Sequence, residues 1–283
     1  MTRIALVQQQ AGADKRANVA RGVRALEAAA ANGAEVVCFP ELAFELFYPQ
    51  CRAENGFRQL AEPVPGPTTE TFAALARQFG VVVVLNLFER DSDRCYDTSP
   101  VIDADGTLLG RTRMVHITDY PGFHEQDYYT PGDTGAPVYR TRCGRVGVAI
   151  CYDRHFPEYM RALALDGADL VLVPQAGTVG EWPEGLFEAE MRVAAFQNGY
   201  FVALCNRVGV DGALTFAGES FVCTPEGTVL ARAPQGADHV LVADVDLSAA
   251  GRSHARRLFF RHRRPELYGN WFGPAHNPGG AGL

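Results

Sequence analysis

Val146-Gly147-Val148-Ala149-Ile150-Cys151-Tyr152-Asp153 is the stretch on which the fold is read. Five apolar or small residues lead into a thiol, and polar residues follow at once. Arg145 to Ile150 reads as a strand, paired across Gly144 with Val138 to Thr141. In open α/β sheets, reactive groups gather at the carboxyl ends of strands. A thiol at the end of such a run is therefore either a small buried hydrophobe or a nucleophile.

Working outward, apolar runs alternate with amphipathic stretches along the chain. Ile4 to Val7 reads as a strand. A helix carries Val19, Val23, Leu26 and Ala30 on one face and stops at Gly33. Val36 to Phe39 is a short buried strand closed by Pro40. Phe72, Leu75, Ala76 and Phe79 stand at helical spacing, with Gly80 as C-cap. Val81 to Phe88 is expected to be one central strand, interrupted only by Asn86. Tyr96 to Ile102 and Leu108 to His116 flank the turn signal Asp105-Gly106, and residues 117–137 form a long loop of the kind that carries function. Helix 156–166, strand Leu170 to Val173, helix 184–198 and strand Tyr200 to Leu204 follow. Late strands pair around Glu226-Gly227, and the last forty residues read as irregular and Arg-rich. With no linker or repeat visible, residues 1–270 are expected to form one α/β domain, with 271–283 as a tail.

The chain has 283 residues, 47% of them hydrophobic and 21% charged, close to globular averages. A net charge of −7 disfavours a nucleic-acid partner. No apolar run approaches the roughly 20 residues that span a bilayer, and the N-terminus lacks a secretory signal pattern. Seven cysteines without CxxC pairs read as reduced thiols in a cytoplasmic protein, with neither a disulfide framework nor a metal site. Lys15 is the only lysine.

Three strand ends carry suggestive chemistry. Val36-Val37-Cys38-Phe39-Pro40-Glu41 sets a carboxylate beyond a buried strand, and Cys151 ends another. The run to His116 meets the loop that holds His124 and Glu125. These segments resemble the nitrilase superfamily of carbon–nitrogen hydrolases, over nearly the whole chain from Arg3 to about Trp271. The anchors are Phe39-Pro40-Glu41, Gly110-Arg111-Thr112-Arg113-Met114-Val115-His116-Ile117 and Gly147-Val148-Ala149-Ile150-Cys151-Tyr152-Asp153. Pro121-Gly122-Phe123-His124-Glu125, Tyr129-Thr130-Pro131-Gly132-Asp133, Gln197-Asn198-Gly199 and Asn206-Arg207-Val208-Gly209 flank them.

The resemblance implies a four-layer αββα sandwich that pairs with a second copy as a homodimer or higher homo-oligomer. It also implies a small-molecule substrate and no cofactor. By position, Glu41 is the general base, Cys151 the nucleophile and Glu125 a second carboxylate that orients the site. The backbone N–H of Tyr152 is an oxyanion donor. A thiol near its free pKa of about 8.5 is mostly protonated at neutral pH and needs such a base. The family places its catalytic lysine where this chain has Met114, and Lys15 lies far from every anchor. A thioether donates no hydrogen bond, and loss of one oxyanion donor costs about 10²–10³ in rate. Arg113 is adjacent but points to the opposite face of its strand. His116, on the face of Met114, and Arg154, three residues past the thiol, are the candidates to compensate.

Cys151-Tyr152-Asp153-Arg154-His155-Phe156-Pro157-Glu158 looks most like the N-carbamoyl branch of the family, which acts on ureido acids or carbamoylated amines. Arg154 would anchor a substrate carboxylate, or else make a structural salt bridge. Glu181 and Glu188 would instead favour a cationic amine. His124 is a further candidate for substrate contact. A non-catalytic ligand-binding or scaffold protein that keeps the fold is the alternative, suggested by Met114 and opposed by the three retained residues Glu41, Glu125 and Cys151.

Overall fold

In the computed structural model, the structure describes residues 1–271. The strands are β1 (Thr2–Gln8), β2 (Val36–Cys38), β3 (Val82–Val84), β4 (Leu87–Asp91), β5 (Arg94–Ile102), β6 (Leu108–Arg113), β7 (Val138–Thr141), β8 (Gly144–Val148), β9 (Leu170–Gln175), β10 (Phe201–Asn206), β11 (Val208–Asp211), β12 (Leu214–Ala217), β13 (Phe221–Cys223), β14 (Val229–Arg232) and β15 (His239–Val245). One sheet runs β15-β1-β2-β3-β5-β4, with β6 also on β5, and a second runs β14-β13-β10-β9-β8-β7. Each is parallel at its centre, β1-β2-β3 in one and β8-β9-β10 in the other. The main helices are α1 (Lys15–Ala31), α2 (Pro67–Phe79), α3 (Pro157–Leu165) and α4 (Leu186–Asn198).

Side-chain alternation along the central strands builds four layers. Ile4, Leu6, Val36, Cys38, Val82 and Val84 of the first sheet pack against Val146, Val148, Leu170, Leu172 and Ala203 of the second, forming the core between the sheets. The alternate residues Ala5, Val7, Val37 and Val83 meet Leu26 of α1 and Phe72 and Ala76 of α2. On the other side Val171, Val173, Val202 and Leu204 meet Met160 and Leu163 of α3 and Met191 and Ala195 of α4. The order is helix, sheet, sheet, helix: the αββα sandwich.

Three expectations are corrected. The run Val81 to Phe88 is two strands, because the Asn86 side chain turns inward to bond Leu42 and Asp97. The strand expected to reach His116 stops at Arg113, because the Asp153 carboxylate takes the amides of Val115 and His116. The last forty residues are not irregular throughout. They include the end of β15 and the short helices α5 (Ala249–Arg252), α6 (His254–Arg257) and α7 (Pro265–Trp271). From residue 272 on, the expected tail lies outside the described residues.

Candidate active site

The loop that carries Glu41 is fixed from three directions. Phe39, Phe44 and Phe72 cluster with centroids 5.0–5.3 Å apart. Gly22 of α1 lets this cluster close, since a Cβ there would lie 2.6 Å from the Phe44 ring. Arg207, fully buried, donates to the carbonyl oxygens of Glu41 and Glu45 at 3.1 Å each and to that of Leu42. The Leu42 amide donates to Asn86 Oδ1 at 2.8 Å. Leu42 has φ 43°, and Cys151, opening the short turn Cys151–His155 beyond β8, has φ 41°. Non-glycine residues in the left-handed region cost about 1–3 kcal/mol and persist only where surroundings over-determine them. Both reactive strand ends carry that strain.

Glu41, Glu125 and Cys151, each buried, lie close enough to perturb one another's ionisation. Neither oxygen of Glu41 has a hydrogen-bond partner, nor does Oε1 of Glu125. Glu125 Oε2 accepts from the Thr118 amide at 3.3 Å. Burial first, then the Cys151-side neighbour Glu125, push the Glu41 carboxyl up to about 8; the Cys151 thiol, Asp97 and Arg207 work the other way. Burial, followed by Glu41 and Glu125, holds the Cys151 thiol well above its ordinary value, with Arg154 opposing. The thiol is therefore protonated at neutral pH, and the carboxyl it faces becomes able to take its proton as it ionises towards pH 8. Met114 is buried in the same core cluster as Cys151. Arg113 points the other way, as strand alternation requires, to Glu89, Asp91 and Asp133.

Position 114 has a neighbour that the sequence reading passed over. Thr98 pairs with Arg113 in the β5–β6 ladder. Asp97 is therefore directly opposite Met114, whose amide donates to the Asp97 carbonyl at 2.9 Å. Directly opposed residues share a face of the sheet, with Cβ atoms about 4.5–5.5 Å apart. Asp97 is buried and bonded by Asn86 through Oδ1, while Oδ2 has no partner. Burial, then Glu41, raise its carboxyl well above the ordinary carboxylate range. The available signals were a lone acid inside the strand Tyr96 to Ile102 and a lone amide inside Val81 to Phe88. Arg207 and Tyr129 were quoted in flanking motifs but given no role; Tyr129 has a buried, unpartnered hydroxyl facing Asp97, Glu41 and Glu125.

The remaining candidates divide. His116 Nδ1 lies 2.7 Å from Asp153 Oδ1, and its ring stacks on Phe156 at 3.5 Å, so it braces the turn after the thiol. His124 pairs with Asp119 at 2.9 Å, in a cluster with Arg52. Arg154 is buried over the Phe187 ring at 4.6 Å, and its Nη1 reaches His155 Nε2 at 2.9 Å and Glu190 at 3.2 Å. Glu181 accepts from the Tyr120 hydroxyl at 2.7 Å and the Thr178 amide at 2.9 Å, meets no basic group among the described residues, and is close enough to raise the thiol. Half-buried Tyr152 packs edge-on against His155 at 5.2 Å, and Trp182 does likewise at 5.1 Å. Glu188 is bound to Arg192 and Arg232 on the surface. Lys15 bridges Glu45 at 3.2 Å and Glu62 at 3.1 Å, tying α1 to the Glu41 loop rather than entering the site.

One prediction concerns stability. A carboxyl at about 8 in the folded chain and 4.5 unfolded binds its proton more tightly when folded across that window. Its contribution is complete below 4.5 and is lost as pH rises to about 8, at up to ~1.4 kcal/mol per pH unit. Glu41→Gln abolishes this slope. Its Tm advantage over the parent is expected to widen between pH 5 and pH 8, measured by calorimetry across that range.

Residues 3–255 match the family described as Carbon-nitrogen hydrolase. The chain is 36% identical over 281 residues to an N-carbamoylputrescine amidase of Solanum lycopersicum, covering 94% of this chain and 93% of that one. A carbon-nitrogen hydrolase from Helicobacter pylori G27 superposes with a TM-score of 0.88 at 30% identity, over 95% of this chain and 97% of the other. A variant of the amidase from Nesterenkonia sp. AN1 superposes with a TM-score of 0.80 at 27% identity, over 95% and 96% of the two chains. It shows covalent addition of the acetamide moiety of fluoroacetamide at the active site cysteine. The αββα sandwich, the buried thiol and these matches agree: the chain belongs to the carbon–nitrogen hydrolase family, as a hydrolase of non-peptide C–N bonds.

Proposed function

We propose that the chain hydrolyses the carbamoyl group of a small carbamoylated amine through a carbamoyl-enzyme at Cys151. The observation that carries the chemistry is the buried Cys151 thiol beside the buried Glu41 carboxyl. Glu41 takes the thiol proton as Sγ bonds the carbamoyl carbon, then returns it to the departing nitrogen as the C–N bond breaks. R–NH–CO–NH₂ thus becomes R–NH₂ and Cys151–S–CO–NH₂. Water, deprotonated by Glu41, opens the thioester to restore the thiol and release carbamic acid, which falls to CO₂ and ammonia. The peptide N–H of Tyr152, at the open end of the short turn, is the oxyanion donor.

The geometry around the thiol supports a cationic distal group. Arg154, the anchor for a carboxylate, is engaged by Glu190 and His155. Glu181, by contrast, accepts only neutral donors and has charge to offer an ammonium. The similarity to an amidase named for N-carbamoylputrescine, a carbamoylated diamine, points the same way. The test is to incubate the protein with N-carbamoylputrescine, N-carbamoyl-β-alanine and simple amides, and to measure ammonia and intact mass. Turnover is expected to favour the carbamoylated diamine, with kcat/KM rising with pH to about 8 as Glu41 ionises. Neither product nor adduct with any of them would overturn the reading in favour of a binding protein. Glu181→Gln is expected to raise KM for the diamine about 10–100-fold, the worth of a charge-assisted hydrogen bond, while leaving neutral amides unaffected.

The partner is a second copy of this chain. Val193 and Phe196 of α4, Leu165 at the end of α3, and Leu258 and Phe259 all present exposed apolar side chains on the outer helical layer. Sedimentation is expected to give a dimer or larger, and Val193→Glu with Phe196→Glu a smaller species.

A further inference from the structure

We propose that Asp97 is a carboxylic acid that keeps its proton and donates a hydrogen bond to Glu41, in the site where position 114 offers no cation. The inference rests on the thiol–carboxyl site described above, and three observations carry it.

The first is register. Asp97 is directly opposite Met114 across the β5–β6 ladder, so its side chain emerges on the same face, one cross-strand step from the thioether. The second is the scaffold. The single side chain of Asn86 accepts from the amide of Leu42, the residue after Glu41, and donates to Asp97 Oδ1. One amide thus ties the Asp97 carboxyl to the backbone that carries Glu41, and its own donor occupies only one Asp97 oxygen. The third is the pattern of unmet hydrogen bonds. Asp97 Oδ2 and both oxygens of Glu41 are buried without a partner. Two ionised carboxylates face to face would be all acceptors and no donors, an arrangement that burial makes costly. One proton on Asp97 Oδ2 converts an acceptor into a donor and satisfies an atom on each side.

Charge gives the same answer. The groups that face Asp97 are Glu41, Glu125, Asp153 and the neutral phenol of Tyr129. The buried cation nearby, Arg207, is bonded to three carbonyls and to Asp211 at 3.1 Å. His116 is held by Asp153. With no cation among the described residues free to neutralise Glu41, Asp97 and Glu125, protons do so, and like carboxyls in one site ionise one after the other. Asp97 is disfavoured as the ionised partner, and Glu41 is the acid that ionises first. Asp97 therefore acts through Glu41, as a positioning residue that orients the base and gives its ionised form a donor. It keeps its proton throughout and adds none to the overall reaction.

The test uses infrared difference spectroscopy in H₂O and D₂O on the intact protein, with no substrate present. Parent minus Asp97→Asn at pH 9, where Glu41 is ionised, is expected to show one deuterium-sensitive carbonyl band of a protonated carboxylic acid. Parent minus Met114→Lys is expected to show the same band, because an ammonium at position 114 ionises Asp97. A carboxylate band in place of the acid band, in the Asp97→Asn difference, would overturn the proposal. So would an acid band that persists unchanged in Met114→Lys. With any substrate the parent turns over, Asp97→Asn retains a neutral donor to Glu41. It should keep kcat/KM within about tenfold and the acid limb of its pH profile within half a unit. A fall of the acid limb by more than one unit would show that a negative charge had been removed, and would refute a neutral Asp97. The spectral arm reads Asp97 even if no carbamoyl substrate is turned over, so the two readings fail separately.

Discussion

Cys151→Ala is expected to lower kcat by at least about 10⁴-fold on any substrate the parent hydrolyses, with the fold and substrate binding retained. The size follows from the mechanism: without Sγ there is no covalent intermediate, and what survives is only the help that positioning and backbone donors give to water. Alanine fits the site, since it removes a single buried atom and keeps the Cβ that the φ of 41° already accommodates. Retained folding is checked by thermal denaturation and retained binding by calorimetric titration with the carbamoylated diamine. Alkylation needs site-resolved mass spectrometry, because Cys51 is exposed and Cys143 half-exposed while Cys151 is buried. Residual activity above about 1% of the parent would remove Cys151 from the nucleophile's role.

Much of this was legible in the sequence, for a physical reason. Buried parallel strands are short apolar runs with an abrupt polar end, so β2 and β8 declared both themselves and the residues beyond them, Glu41 and Cys151. Alternation along a strand correctly sent Arg113 away from position 114. What the sequence hid depends on pairing between distant segments. Asp97 gains its meaning from register with Met114, and Asn86 from reaching two segments at once. No periodicity encodes which acid is opposite which thioether. His116 and Arg154 were legible as residues near the thiol but not as residues already engaged, one by Asp153 and the other by Glu190. The sole lysine illustrates the same limit. Its separation from the anchors holds along the chain but not in space, because the loop after Glu41 folds back onto α1 and brings Glu45 and Glu62 to Lys15.

Arg207→Met is expected to destabilise the fold by about 3–5 kcal/mol, the largest loss of stability from any single change considered. Arg207 is 1% exposed, donates to the carbonyls of Glu41, Leu42 and Glu45, pairs with Asp211 at 3.1 Å, and lies over Phe216 at 4.9 Å. Methionine preserves much of the volume but leaves Asp211 buried without its cation and the carbonyls of Glu41 and Glu45 without the guanidinium donor. That of Leu42 keeps only the Glu45 amide at 3.3 Å. This is the costly way to break a buried pair. Asp211 retains the Phe47 amide and Gln50 as donors, which limits the loss. Replacing both members, Arg207→Met with Asp211→Leu, is therefore expected to recover part of the stability in a denaturant-unfolding double-mutant cycle. Activity should not recover with it. The three carbonyls belong to the loop that places Glu41, and the left-handed Leu42 is held there by Arg207 on one side and Asn86 on the other. If the double variant regains stability and activity together, Arg207 serves only the packing. If stability returns while kcat stays low, the guanidinium is what holds the base in place against the strain of its own loop.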